Sequence, residues 1–201
     1  MVRAFLAVPL PPPLQHTIAL LQNELAAAMP GLRWSRPETI HLTLRFFGDT
    51  SVDDLEKVRA SMLSVTLRAQ PFQVDLLGLG AFPDGRRPRV AWIGMTPAEP
   101  LQRLYQACQA ELGRVGIAAE PRAFKPHLTI GRFRERGPDL TALLARQAQR
   151  RVGQLPVTQL VLYESRLQPG GARHIPLFTV PLDGRDDHLN DRISKEGTTN
   201  G

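Results

Sequence analysis

The sequence predicts an α+β domain, mainly antiparallel sheet, arranged in two similar halves. Three observations carry that prediction. Strand-length apolar runs alternate with amphipathic helical stripes, turn-forming residues separate them, and one four-residue strand pattern occurs once in each half of the 201 residues.

In chain order, Val2 to Val8 is an apolar run of strand length, and the prolines at 11, 12 and 13 then open a helix from about Leu14 to Met29. Ile18, Leu21 and Leu25 fall on one face of it. After the Pro30-Gly31 break, Ile40 to Phe47 is rich in strand formers and is closed by Gly48-Asp49. Ser51 is placed to cap the next helix, with Asp54 three residues on and Val52, Leu55, Val58 and Met62 as its expected buried stripe. Pro71 to Phe82 and Arg89 to Met95 read as a long hairpin around the turn-rich Pro83 to Pro88. The second half repeats the order with a helix from about Glu99 to Val115, whose stripe is Leu101, Leu104, Cys108 and Leu112. A strand from His127 to Phe133 and a helix from about Pro138 to Ala148 follow. Val157 to Ser165 and His174 to Val180 read as strands joined by Gln168-Pro169-Gly170-Gly171. Apolar residues almost vanish from Asp183 onward. Residues 1–183 are therefore expected to form a single domain and residues 184–201 a disordered tail.

Composition excludes several classes. The uncharged stretch near the start is broken by Pro9, Pro11, Pro12 and Pro13, so it makes neither a membrane span nor a secretory signal, and the expectation is a cytoplasmic chain. One cysteine, Cys108, can form neither an internal disulfide nor a thiolate zinc site, and it reads as a small buried hydrophobe. The net charge of +6 comes from 25 basic residues, 22 of them arginine, a bias that GC-rich codon usage explains by itself and that is also compatible with a phosphate-bearing partner. The tail from Asp183 holds 5 acidic and 3 basic residues, so the folded body is more basic than the whole chain.

The chemistry lies in the repeated pattern, His41-Leu42-Thr43-Leu44 and His127-Leu128-Thr129-Ile130. Strand alternation puts His41 with Thr43, and His127 with Thr129, on one face of each strand, with the aliphatic residues turned to the core. Two buried structural histidines would give the same pattern, but a duplicated site explains the pair better. Two imidazoles across a groove suit phosphodiester cleavage, one accepting the proton of the attacking oxygen and the other protonating the departing one. The threonine hydroxyls can donate to the non-bridging phosphate oxygens.

These residues resemble the two-histidine phosphoesterases. The likeness runs to about residue 182. It takes in Arg3 to Val8, His41 to Gly48, Arg89 to Gly94, Phe124 to Arg132 and Leu162 to Leu167. It implies a bilobal fold in which two pseudo-symmetric antiparallel sheets with outer helices enclose a central groove. It also implies hydrolysis of an RNA 2′,3′-cyclic phosphate to a 2′-phosphate end by a monomer with no metal or cofactor, with 2′-5′ RNA ligation as the reverse type of reaction. By analogy His127 is the general base toward water and His41 the general acid toward O3′. The near-twofold site can exchange these roles. The resemblance further places a phosphate-holding arginine on Arg132 and a base-stacking aromatic on Phe46.

Both of these transfers conflict with a regular strand, because alternation puts Phe46 and Arg132 opposite their histidines. Each needs its strand to bulge, twist or end, and Gly131 makes this easier for Arg132. Phe47 competes with Phe46, and Arg45, in phase with His41, is read as a rim residue or further phosphate contact. His16 and His188 are expected to be exposed and idle, His174 to lie at a rim or surface, and Lys125 in a loop or at the groove mouth. A binding module without turnover, or a phosphodiesterase for another cyclic phosphate or a 2′-5′ oligonucleotide, uses the same residues.

Overall fold

The computed structural model describes residues 1–168 and 171–184. Nine strands form one antiparallel sheet: β1 (Val2–Pro9), β2 (Leu32–Trp34), β3 (His41–Thr50), β4 (Phe72–Phe82), β5 (Val90–Thr96), β6 (His127–Phe133), β7 (Arg151–Val157), β8 (Gln159–Gln168) and β9 (Gly171–Pro181). The helices are α1 (Pro12–Leu25), α2 (Val52–Arg68), α3 (Glu99–Arg114) and α4 (Thr141–Arg146). Strand order is β7-β4-β5-β6-β3-β1-β8-β9, with β2 added beside β6.

The two expected sheets are thus joined edge to edge, and the seam is a single residue pair, Leu42 of β3 with Leu128 of β6. Four strands of this order lie on each side of it, and β2 adds a fifth on the β6 side. The two lobes are not the two halves of the sequence, however. One lobe takes β1 and β3 from the start of the chain and β8 and β9 from its end, while β4 to β7 in the middle make the other. Helices cross over as well. α1, from the first half, packs on β7 in the second lobe, and Gln109 of α3, from the second half, bonds to Arg45 of β3 in the first. This interleaving makes the lobes one cooperative core, running from Leu6 and Ile18 to Leu128 and Leu162.

Several sequence expectations shift. Ser51 does cap α2, its hydroxyl accepting from the Asp54 N–H at 3.1 Å, but Val52 is 70% exposed and Leu55 only partly buried. The face that packs starts a turn later, at Val58, Ser61, Met62, Val65 and Thr66, where α2 meets α3 and the β8–β9 hairpin. α4 is shorter than the expected 138–148. β2 and β7 are additional to the expected elements. β2 is three residues long and β7 carries Gly153 and Pro156, so neither has the composition of a strand. Gly184, assigned to the tail, is buried and donates with Asp183 to the Thr66 carbonyl. The rest of the expected tail, like the Pro169-Gly170 turn, lies outside the described residues.

Candidate active site

The seam positions the two motifs. Leu42 and Leu128 are buried and face each other, so continuing the antiparallel register sets His41 opposite Thr129 and Thr43 opposite His127. A local twofold axis therefore passes through the leucine pair. The two histidines become diagonal neighbours on the opposite face, about 7–8 Å apart at the backbone. That face is the floor of a cavity of about 580 Å³ lined by both histidines and both threonines.

Each imidazole is held the same way. His41 Nδ1 lies 2.8 Å from the Thr39 carbonyl and His127 Nδ1 lies 2.7 Å from the Lys125 carbonyl, in both cases two residues upstream. A carbonyl only accepts, so Nδ1 carries a hydrogen in both rings and Nε2 is left for chemistry. The carbonyls are presented by local breaks in the chain: Thr39 ends a 3₁₀ turn over Pro37–Thr39, and Lys125 precedes Pro126. The Lys125 side chain is exposed, so this residue serves His127 through its backbone.

Electrostatics separate the pair. Burial pushes His41 down to about 4, the Thr39 bond opposes this, and the charges of His174, Arg132 and His127 add to the lowering. Burial also lowers His127, against the Lys125 bond and with help from Arg132. Arg132, on β6, thus acts on both rings.

Matched β-bulges bring Arg132 and Phe46 to this face. Along β6 the register against β5 slips between Gly131 and Thr129, leaving Ile130 as an extra residue. Along β3 the register against β1 slips between Arg45 and Thr43, leaving Leu44 as the extra one. Each bulge falls three residues after its histidine and flips the alternation, so two buried residues follow in a row and the fifth residue after the histidine returns to the groove. Phe46 is 47% exposed there, stacked on Phe5 with ring centroids 5.4 Å apart. Phe47 packs against the core instead.

The same flip sends Arg45 the other way. It is 8% exposed, donates to Gln109 Oε1 at 3.0 Å and to the Ala118 carbonyl, and lies 4.0 Å from Glu120. It is neither a rim residue nor placed to touch phosphate. At the other bulge, buried Gln22 of α1 donates to the Ile130 carbonyl at 3.0 Å and to the Ser35 carbonyl at 2.8 Å, and the Ser35 N–H also donates to Ile130. Gly131 is required there, since a Cβ would lie 2.8 Å from Leu32 and 3.0 Å from the Arg33 carbonyl.

Sequence reasoning missed two groups beside His41. Phe5, 1% exposed, stacks on the His41 ring with centroids 4.7 Å apart, and His174 meets that ring edge-on at 5.0 Å. His174 therefore lines the groove rather than a free surface. His16 is exposed, and His188 lies outside the described residues. On the other side Phe82 meets His127 edge-on at 4.9 Å. Among the described residues no three His, Cys, Asp or Glu side chains converge as metal ligands, and no helix is long and apolar enough to cross a membrane.

Comparison with known proteins gives a consistent result. Residues 8–92 and 93–174 each match the family described as LigT like Phosphoesterase, one match per half of the chain. An RNA 2′,3′-cyclic phosphodiesterase of Methanothermobacter thermautotrophicus is 35% identical over 181 residues, which is 89% of this chain and 95% of the relative. One of Archaeoglobus fulgidus is 30% identical over 170 residues, 85% and 94% of the two chains. Among solved structures, TT0787 of Thermus thermophilus superposes with a TM-score of 0.76 at 26% identity, covering 90% of this chain and 98% of its own.

Proposed function

The chain belongs to the LigT-like phosphoesterase family, and from that premise we propose that it hydrolyses the 2′,3′-cyclic phosphate at the end of an RNA to a 2′-phosphomonoester. One observation carries the mechanism: two twofold-related imidazoles, each fixed through Nδ1, turn Nε2 into one basic groove.

In this reading His127 Nε2 takes a proton from water as the water oxygen bonds to phosphorus. The P–O3′ bond breaks, and His41 Nε2 gives its proton to O3′, leaving the phosphate on O2′. Thr43 and Thr129 donate to the non-bridging oxygens, Arg132 holds the phosphate charge, and Phe46 stacks on the terminal base. The electrostatics of the protein alone oppose part of this assignment, because His41, the acid, is the harder ring to protonate. A bound phosphate anion supplies the negative charge that restores its proton. The same reading takes the protein to act as a monomer in the cytoplasm, where its RNA substrate would be met.

The test is incubation with a short RNA ending in a 2′,3′-cyclic phosphate, with the product identified by mass and phosphatase sensitivity. A 2′-phosphate end is expected. A 3′-phosphate product, or equal turnover by His41→Ala and wild type, would overturn the mechanism.

A further inference from the structure

Arg33 of β2 stands directly opposite Arg132 of β6 in the ladder, and Arg134, one residue past the end of β6, lines the same groove. All three side chains are exposed and line the groove, and none has a hydrogen bond or ion-pair partner among the described residues. Like charges directly across a ladder repel, so this arrangement is costly until an anion lies against it.

The cyclic phosphate does not account for all three. It carries one negative charge, and Arg132 is the arginine whose charge acts on both imidazoles. The chain also runs outward, from His127 at the seam through Thr129 and Arg132 in β6 to Arg134 just beyond it. Positive charge therefore continues past Arg132, away from the histidines, along one wall of the groove.

We propose that Arg33 and Arg134 form a second phosphate subsite, which holds the phosphate next to the cyclic end of the substrate strand. This rests on the cyclic phosphodiesterase reading and adds a substrate class to it: strands or nucleotides with a second phosphate, in preference to a nucleoside cyclic phosphate alone. The subsite reads charge and position, not base identity.

The readout is a ratio of kcat/KM values. Adenosine 2′,3′-cyclic phosphate is compared with the same compound bearing a 5′-phosphate, and with a dinucleotide ending in the cyclic phosphate, which replaces that monoester by an internucleotide diester. Wild type is expected to favour both phosphate-bearing substrates by about tenfold, the effect of one charge-assisted hydrogen bond. In Arg33→Gln the ratio falls toward one, and Arg33→Lys keeps part of it. A wild-type ratio near one, or a ratio unchanged in Arg33→Gln, overturns the subsite. If wild type hydrolyses none of the three, the cyclic phosphodiesterase reading falls, and the subsite is judged by calorimetric titration with adenosine 2′,5′-bisphosphate. Weaker binding by Arg33→Gln then supports it, and equal binding overturns it.

Discussion

The two His-x-Thr strands are built alike at the backbone and differently in everything that surrounds it. Both anchor Nδ1 on a carbonyl two residues upstream, and both bulge three residues after the histidine. The braces differ. In β3 the bulge is followed by a buried guanidinium, Arg45, tied to α3 and the chain beyond it, and in β6 the bulge carbonyl is capped by the Gln22 side chain from α1. What each bulge delivers differs too, an aromatic face at Phe46 and a cation at Arg132. The two strands thus share the histidine anchor and the bulge, and differ in the side chain that the bulge turns to the groove and in the brace behind it.

The sharpest way to break this symmetry is at the imidazoles. His41→Ala and His127→Ala are each expected to lower kcat by about 10²–10⁴ on a cyclic phosphate. A substrate with a 4-nitrophenyl leaving group needs no acid, so it should recover His41→Ala and not His127→Ala. Recovery of the other variant would exchange the two roles. Next in size is the fifth position. Arg132→Ala is expected to cost about 10²–10³ in kcat. Phe46→Ala should act mainly through KM, by about 1–3 kcal/mol of lost stacking.

The braces give a crossed and smaller prediction. Gln22→Met removes the bond to the Ile130 carbonyl and should reproduce a weakened Arg132 phenotype, with about 1–3 kcal/mol lost from stability. Arg45→Met should instead raise KM for the base-bearing substrate. Steady-state kinetics on both variants, with thermal unfolding alongside, decides whether each brace serves its own bulge.

The smallest expected effects are in pH. With both rings lowered, kcat/KM for the free protein should peak below pH 6.5, and kcat should peak at a higher pH because bound phosphate favours the protonated rings. His174→Phe keeps the edge-on ring and removes a positive charge, so His41 should titrate at higher pH by NMR. For stability, His41 binds a proton more readily unfolded, near 6.5, than folded, near 4. Stability should therefore fall as pH drops through that window and level off below it, by at most about 3 kcal/mol, and His41→Gln should flatten the slope.

How much of this was legible depended on how local each feature is. The motif pair, the shared face of histidine and threonine, the bounds of β6 and the Ser51 cap follow from residues within a few positions of one another, where alternation and capping operate. The positions of Phe46, Arg132 and Arg45 do not. A bulge is a mismatch in residue count between two strands, so Leu44 is extra only relative to β1, and Ile130 only relative to β5. In the sequence, therefore, Arg45 looked in phase with His41 and Arg132 out of phase with His127, and the fold reversed both. His174 and Arg33 became part of the groove because β9 reaches it from the far end of the described chain and β2 pairs with β6, about a hundred residues away. The chemistry on offer was written in the repeated strand; which side chains share its face was decided by strand register, which exists only between partners that folding brings together.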